Sequence, residues 1–178
     1  MILNLVKKKW NEIAGLFFIR HQPKQSFGLI VKSGMGGLIA IGLVSVVGYV
    51  TGNTLLMAPF GATCVLLFSV PQSPLSQPIN VVGGHIVSTT IGILLHTFLP
   101  AEWWVLGLAV GLAIAIMAGL RVTHPPAGAD PLVVFFAEPA WGYLFFPVLF
   151  GSIALVIIAW LFHKLPAKTL YPIIVIKS

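Results

Sequence analysis

His124 precedes two prolines in the run Thr123-His124-Pro125-Pro126-Ala127-Gly128-Ala129. Paired prolines hold a chain extended and remove two backbone donors. A histidine fixed there can donate to an anion or carry a proton near neutral pH. It can equally brace the turn by bonding a carbonyl. Asp130 follows within an apolar stretch. It can pair with Arg121 or His124, cap a short helix, or couple a proton. Arg121 can snorkel to a membrane interface or attract anions to an entrance. Gln77, Asn80 and His85 form a second polar group, with Asn80 placed to cap a helix. His85 and Thr89 share a helical face, so both can reach an interior. His96 and His163 fall near the ends of apolar runs and read as interfacial. Phe60 and Phe135 can constrict a path or simply pack.

These residues sit in an unusual setting. Hydrophobic residues make up 58% of the 178, charged residues 8%, and there are four acids. A soluble domain carries about a quarter charged residues, so the chain reads as one polytopic membrane domain. Ionisable groups at membrane depth are costly and are functional candidates by default. The net charge of +6 lies at the two ends, with Arg121 alone between them. That is the positive-inside pattern and argues against nucleic acid. Cys64 is the sole cysteine, so no intrachain disulfide can form. Residues 1–26 show no cleavable signal pattern. Leu3, Val6, Trp10, Ile13 and Phe17 fall at helical spacing among charges, which predicts an amphipathic helix on the cytoplasmic surface.

The elements that position the polar groups follow from span length. About 20 apolar residues cross the hydrocarbon core. Residues 27–50, 80–99, 103–120 and 141–162 qualify as long helices. Residues 58–70 and 127–137 are apolar but too short. Small residues recur every four positions: Gly107, Gly111, Ala115 and Gly119, then Gly84, Ser88 and Gly92, and nearly so Gly36, Ala40, Val44 and Gly48. Such stripes allow close helix approach or a dimer face.

The two short stretches resemble each other. PFGATCVLLF at 59–68 and PAGADPLVVF at 126–135 align Pro59 with Pro126, Gly61 with Gly128, Ala62 with Ala129 and Phe68 with Phe135. Thr63 is the counterpart of Asp130, and Gly84 of Gly151. The plan is long helix, short segment, long helix, twice over. Three crossings per half would invert the second half relative to the first. Inverted repeats with broken helices are a transporter design. Half-helix N-termini can hold an anion without a full cation in the membrane.

The Arg121 and Thr123–Ala129 run, together with APFGATCVLLF and SPLSQPINVVGGH at 73–85, resembles the HPP family of integral membrane proteins. The resemblance covers roughly residues 27–163. It implies a helical membrane protein usually described with four helices. It also implies nitrite as substrate, since some plastid and cyanobacterial members are implicated in nitrite transport.

The expectation is therefore an all-α membrane protein. It has four long transmembrane helices and two short discontinuous or re-entrant ones, in two inverted three-segment repeats. An interfacial segment covers 1–26, the transmembrane domain 27–163 (repeats 27–99 and 103–163), and a cytoplasmic tail 164–178. The expected function is a transporter or channel for a small anion, with no enzymatic activity and no cofactor or metal. The substrate site would draw on Pro59, Gly61, Ala62, Thr63, His85, Thr123, His124, Pro125, Pro126, Gly128 and Asp130. Arg121, Gln77 and Asn80 would serve its entrance. The partners are the lipid bilayer, the anion and, for the glycine stripes, a second copy. The location is a bacterial inner membrane with both termini cytoplasmic. A structural or regulatory membrane protein is the first alternative, and an intramembrane enzyme using His124 and Asp130 the second.

Overall fold

A computed structural model describes residues 2–166 and 168–173. Lys177 and the end of the tail expected over 164–178 lie outside the described residues. Residues 1–30 and 31–178 form two compact units. Among the described residues every regular element is helical.

In the first unit, α1 (Ile2–Phe18) leaves Leu3, Val6, Trp10, Ile13 and Phe17 exposed. It carries Lys7, Lys8 and Lys9 as well. That is the makeup of a helix able to lie on a membrane surface.

Three stretches are long and apolar enough to cross a membrane: α2 (Phe27–Thr51), α4 (Pro78–Phe98) and Trp141–Phe162. The fourth expected span, α5 (Trp103–Gly119), has 17 residues. At 1.5 Å per residue it covers about 25 Å, somewhat less than the hydrocarbon core. The last stretch differs from the expected single helix. It begins as a 3-10 turn (Trp141–Leu144), widens over Phe145–Leu149, and becomes regular in α7 (Phe150–Phe162). Phe146 lies in the extended region, φ −123° and ψ 114°. Pro147 is the cause, because proline pushes the residue before it out of the helical region.

Proline sets where several elements begin. Pro59 opens α3 (Pro59–Ser69) and Pro78 opens α4. Pro74 and Pro125 open the 3-10 turns Pro74–Ser76 and Pro125–Ala129. The first helical position needs no amide donor, so proline is tolerated there. The second short helix therefore starts later than expected. Residues 125–129 wind as a 3-10 turn, and α6 runs Asp130–Ala137.

Helix α4 is the hub of the second unit and packs on α5, α6, α7 and all three 3-10 turns. Glycine makes this approach possible. A Cβ on Gly84 would lie 2.6 Å from His124 Cβ and 3.0 Å from the Val122 carbonyl oxygen. One on Gly151 would lie 2.5 Å from the Leu55 carbonyl oxygen and from the Phe60 ring. On α5, Val105, Ala109, Ala113 and Met117 are buried. Its Gly107, Gly111 and Gly119 have open space instead. That stripe faces away from the bundle, whereas those of α2 and α4 face into it.

Candidate functional site

The two proline-led segments meet at a buried polar network. Helix α3 supplies Thr63 from its second turn. Helix α4 supplies His85, Ser88 and Thr89, spaced to share one face. The turn before α6 supplies His124, and the first position of α6 supplies Asp130. All six side chains are fully buried.

The contacts form a chain. Asp130 Oδ2 lies 2.9 Å from His85 Nδ1, and Thr89 donates to the same oxygen at 3.2 Å. His85 Nε2 lies 2.9 Å from Thr63 Oγ1. That oxygen lies 3.0 Å from His124 Nε2, and His124 Nδ1 lies 2.8 Å from the Leu75 carbonyl oxygen. Phe60 sets its ring edge-on to His85, with centroids 5.2 Å apart. The two imidazoles pack at 5.0 Å.

Proton positions follow from which atoms can donate. The Leu75 carbonyl only accepts, so His124 Nδ1 carries a hydrogen. Thr63 has one hydroxyl proton to give. If it goes to His124 Nε2, then His85 Nε2 must donate to Thr63 Oγ1, and the remaining proton is shared along the His85–Asp130 axis. If it goes to His85 Nε2, then His124 is the imidazolium and Asp130 the carboxylate. Both arrangements satisfy every link in the chain and carry no net charge. The first keeps the opposite charges in contact or neutralises them, so it has the lower energy in a low-dielectric interior. Thr63 can also donate to the Pro59 carbonyl, 3.3 Å away. Both histidines would then carry Nε2 protons, and the network would hold a net positive charge.

Asp130 pairs with neither Arg121 nor His124, the two partners expected for it. It pairs with His85 on α4. It is the first residue of α6, and its carboxylate makes no helix cap. Asp130 Oδ1 is buried and has no hydrogen-bond partner among the described residues. His124 takes on one of its expected tasks, bracing a carbonyl through Nδ1, and its Nε2 lies against the Thr63 hydroxyl.

Further bonds hold the turn. Ser88 donates to the Ala127 carbonyl at 2.6 Å, which sequence reasoning missed although Ser88 lies in the α4 stripe. Asn80 donates to the Thr123 carbonyl at 2.9 Å. It does not cap α4, whose first residue is Pro78 and whose cap position is Gln77. Gln77 donates to the Pro71 and Ser73 carbonyls and accepts from the Ile173 amide. Arg121 is exposed, in a left-handed conformation with φ 61°. Its amide and that of Val122 close the end of α5 on the Ala118 and Met117 carbonyls. His163, expected at an interface, is buried and lies 2.8 Å from the Leu67 carbonyl oxygen.

Pro59 and Pro126 are buried, Gly128 and Thr123 half-buried, and Gly61, Ala62 and Pro125 exposed. Several of these line an open groove of about 850 Å³ beside the network. Ala58, Pro59, Ala62, Val65 and Leu66 form one wall. Pro125, Pro126, Ala129, Leu132 and Val133, each 67 positions later, form the other. Both walls are apolar, and the polar network lies behind them. Among the described residues no group of three or more His, Cys, Asp or Glu is placed to hold a metal ion.

The family model for the HPP transmembrane region matches residues 22–172. A transmembrane protein of Dictyostelium discoideum is 40% identical over 126 residues, 66% of this chain and 40% of its own length. A second from the same organism is 34% identical over 126 residues, 66% of this chain and 44% of its own. The matched region thus spans less than half the length of these relatives. No solved structure matches the chain.

Proposed function

The chain belongs to the HPP transmembrane family, a multi-pass integral membrane protein, and on that premise we propose that it carries a small inorganic anion, nitrite first, across the membrane. One observation carries this reading. Thr63 and His124, from two similar proline-led segments far apart in sequence, share a 3.0 Å hydrogen bond at the centre of a fully buried polar network. Buried histidine and carboxylate groups in a membrane domain mark ion and proton paths.

The reading includes two inverted repeats of three segments each. Reciprocal packing supports it. Gly84 abuts the Val122 carbonyl oxygen, and Gly151 abuts that of Leu55. Both members of the second pair are 67 residues from their counterparts, the offset that aligns the two groove walls. The basic ends favour both termini on the cytoplasmic face of a bacterial inner membrane. The outward stripe of α5 would be the contact in a homodimer. No catalysis is assigned to the site. The enzyme alternative would need a substrate within reach of His124 and Asp130.

A second reading has its own support. The groove that reaches both turns is apolar, and the network satisfies itself but for one carboxylate oxygen. A purely structural role would look the same. Nitrite uptake by liposomes holding the purified protein separates the two. The transport reading expects uptake above protein-free liposomes, lowered about a hundredfold in His124→Ala and Asp130→Asn. Folded protein that moves no nitrite under any gradient leaves the structural reading.

A further inference from the structure

We propose that the network is a proton relay, and that one proton accompanies the anion through the site. This inference rests on the transport reading for its second half and on the network geometry alone for its first. The hydroxyl of Thr63 is bonded to both imidazoles, at 2.9 Å to His85 Nε2 and 3.0 Å to His124 Nε2. One concerted shift interconverts the two neutral arrangements. The proton on His85 Nε2 passes to Thr63 Oγ1 as the hydroxyl proton of Thr63 passes to His124 Nε2. The result is a neutral His85, an imidazolium at His124 and an unchanged Asp130 carboxylate. No bond other than O–H and N–H changes, and the total charge is constant.

The ends of the chain fit a relay. Asp130 Oδ1 is buried without a partner, so it is a free basic site where a proton can be taken up. At the far end His124 sits on the proline turn that lines the groove through Pro125 and Pro126. Its Nδ1 proton faces the Leu75 carbonyl, which cannot take it, so the proton leaves from Nε2 to water or the anion when the bond to Thr63 opens. The titratable groups around the path are His85 on α4, His124 on the second turn, Asp130 on α6 and Tyr143 before α7, whose hydroxyl donates to Met57 Sδ. Helix α3 contributes Thr63 and the buried Cys64 thiol. One proton more takes the network from neutral to net positive, which favours an anion beside it. Anion and proton therefore favour each other's binding, and linkage makes that preference mutual.

Liposomes carrying the purified protein and a trapped pH dye test this, with protein-free liposomes subtracted. Internal pH is followed during nitrite uptake, and separately under a potassium potential set with valinomycin and no nitrite. The relay predicts that nitrite uptake acidifies the lumen and that the potential alone drives proton flux. Thr63→Val keeps the side-chain shape but loses the hydroxyl, and should lower proton flux about a hundredfold. Thr63→Ser keeps the hydroxyl and should restore it. Asp130→Asn is a second cut if Thr63→Val does not fold. Wild-type protein that carries nitrite without protons overturns the relay and leaves the transport reading standing. Protons moving under the potential with no nitrite uptake does the reverse. A folded Thr63→Val protein with wild-type proton flux overturns the relay through Thr63.

Discussion

At the first proline turn Thr63 is the side chain that reaches the buried network. At the second, His124 and Asp130 both reach it. The helices that follow differ in the same direction. His85 on α4 bridges Thr63 and Asp130, while its counterpart Ser152 on α7 donates back to the Leu149 carbonyl at 3.0 Å. The counterpart of His124 is Met57, which is buried against the Tyr143 hydroxyl. Packing is nevertheless shared, since Gly84 and Gly151 each lie against the opposite turn. One packing solution is used twice, and the charged chemistry once. A low-dielectric core explains the restraint. A second carboxylate at position 63 would need its own histidine and would repel the first.

The largest effect should come from unpairing the charged half. His85→Leu leaves Asp130 buried without its partner, which costs about 3–5 kcal/mol. Chemical denaturation in detergent would read this directly. His85→Leu with Asp130→Leu removes both partners and should recover most of the loss. If single and double variants are equally unstable, packing rather than pairing holds the site. Ser152→Ala, at the uncharged counterpart, should cost no more than about 1 kcal/mol.

The next effect tests the shared packing. Gly84→Ala and Gly151→Ala each force a Cβ into an occupied place, at about 1–3 kcal/mol of overpacking. Their stabilities should therefore fall alike. Their activities should not. The new methyl at Gly84 pushes on His124, while that at Gly151 pushes on Phe60 and the Leu55 carbonyl. Nitrite uptake per folded protein should fall several times further in Gly84→Ala. Equal losses would mean that both halves contribute alike to the path.

Sequence patterns exposed the polar residues more readily than their partners. The i, i+4 spacing of His85 and Thr89 placed both inside, as the structure has them. The shared Pro-x-Gly-Ala pattern singled out the two segments that meet. What stayed hidden depends on how α4 is rotated in the bundle. Asp130 finds His85, 45 positions away, because α4 turns that face toward α6. Asn80 could have capped its own helix, but Pro78 starts α4 and sends the amide across to Thr123. The break at Phe146 was carried by Pro147, and an apolar run long enough to span masked it. Burial of His163 arises from a carbonyl on α3, which local sequence does not reveal.

The smallest effect concerns how each half reaches its turn. Helix α2 is followed by Gly52 at φ 69°, and α5 by Arg121 at φ 61°. Both are left-handed closures, which glycine adopts freely and arginine adopts at a cost of about 1 kcal/mol. Arg121→Gly should therefore raise stability by about that amount. Arg121 also places an exposed charge just before the second proline turn. If Arg121 attracts the anion, Arg121→Gly should raise the KM for nitrite about threefold at low salt, with the difference fading as salt screens the charge. Arg121→Lys should keep the low-salt KM. A KM unchanged at every salt concentration would assign the side chain to the interface alone, and the asymmetry between the two turns would then be confined to the buried network.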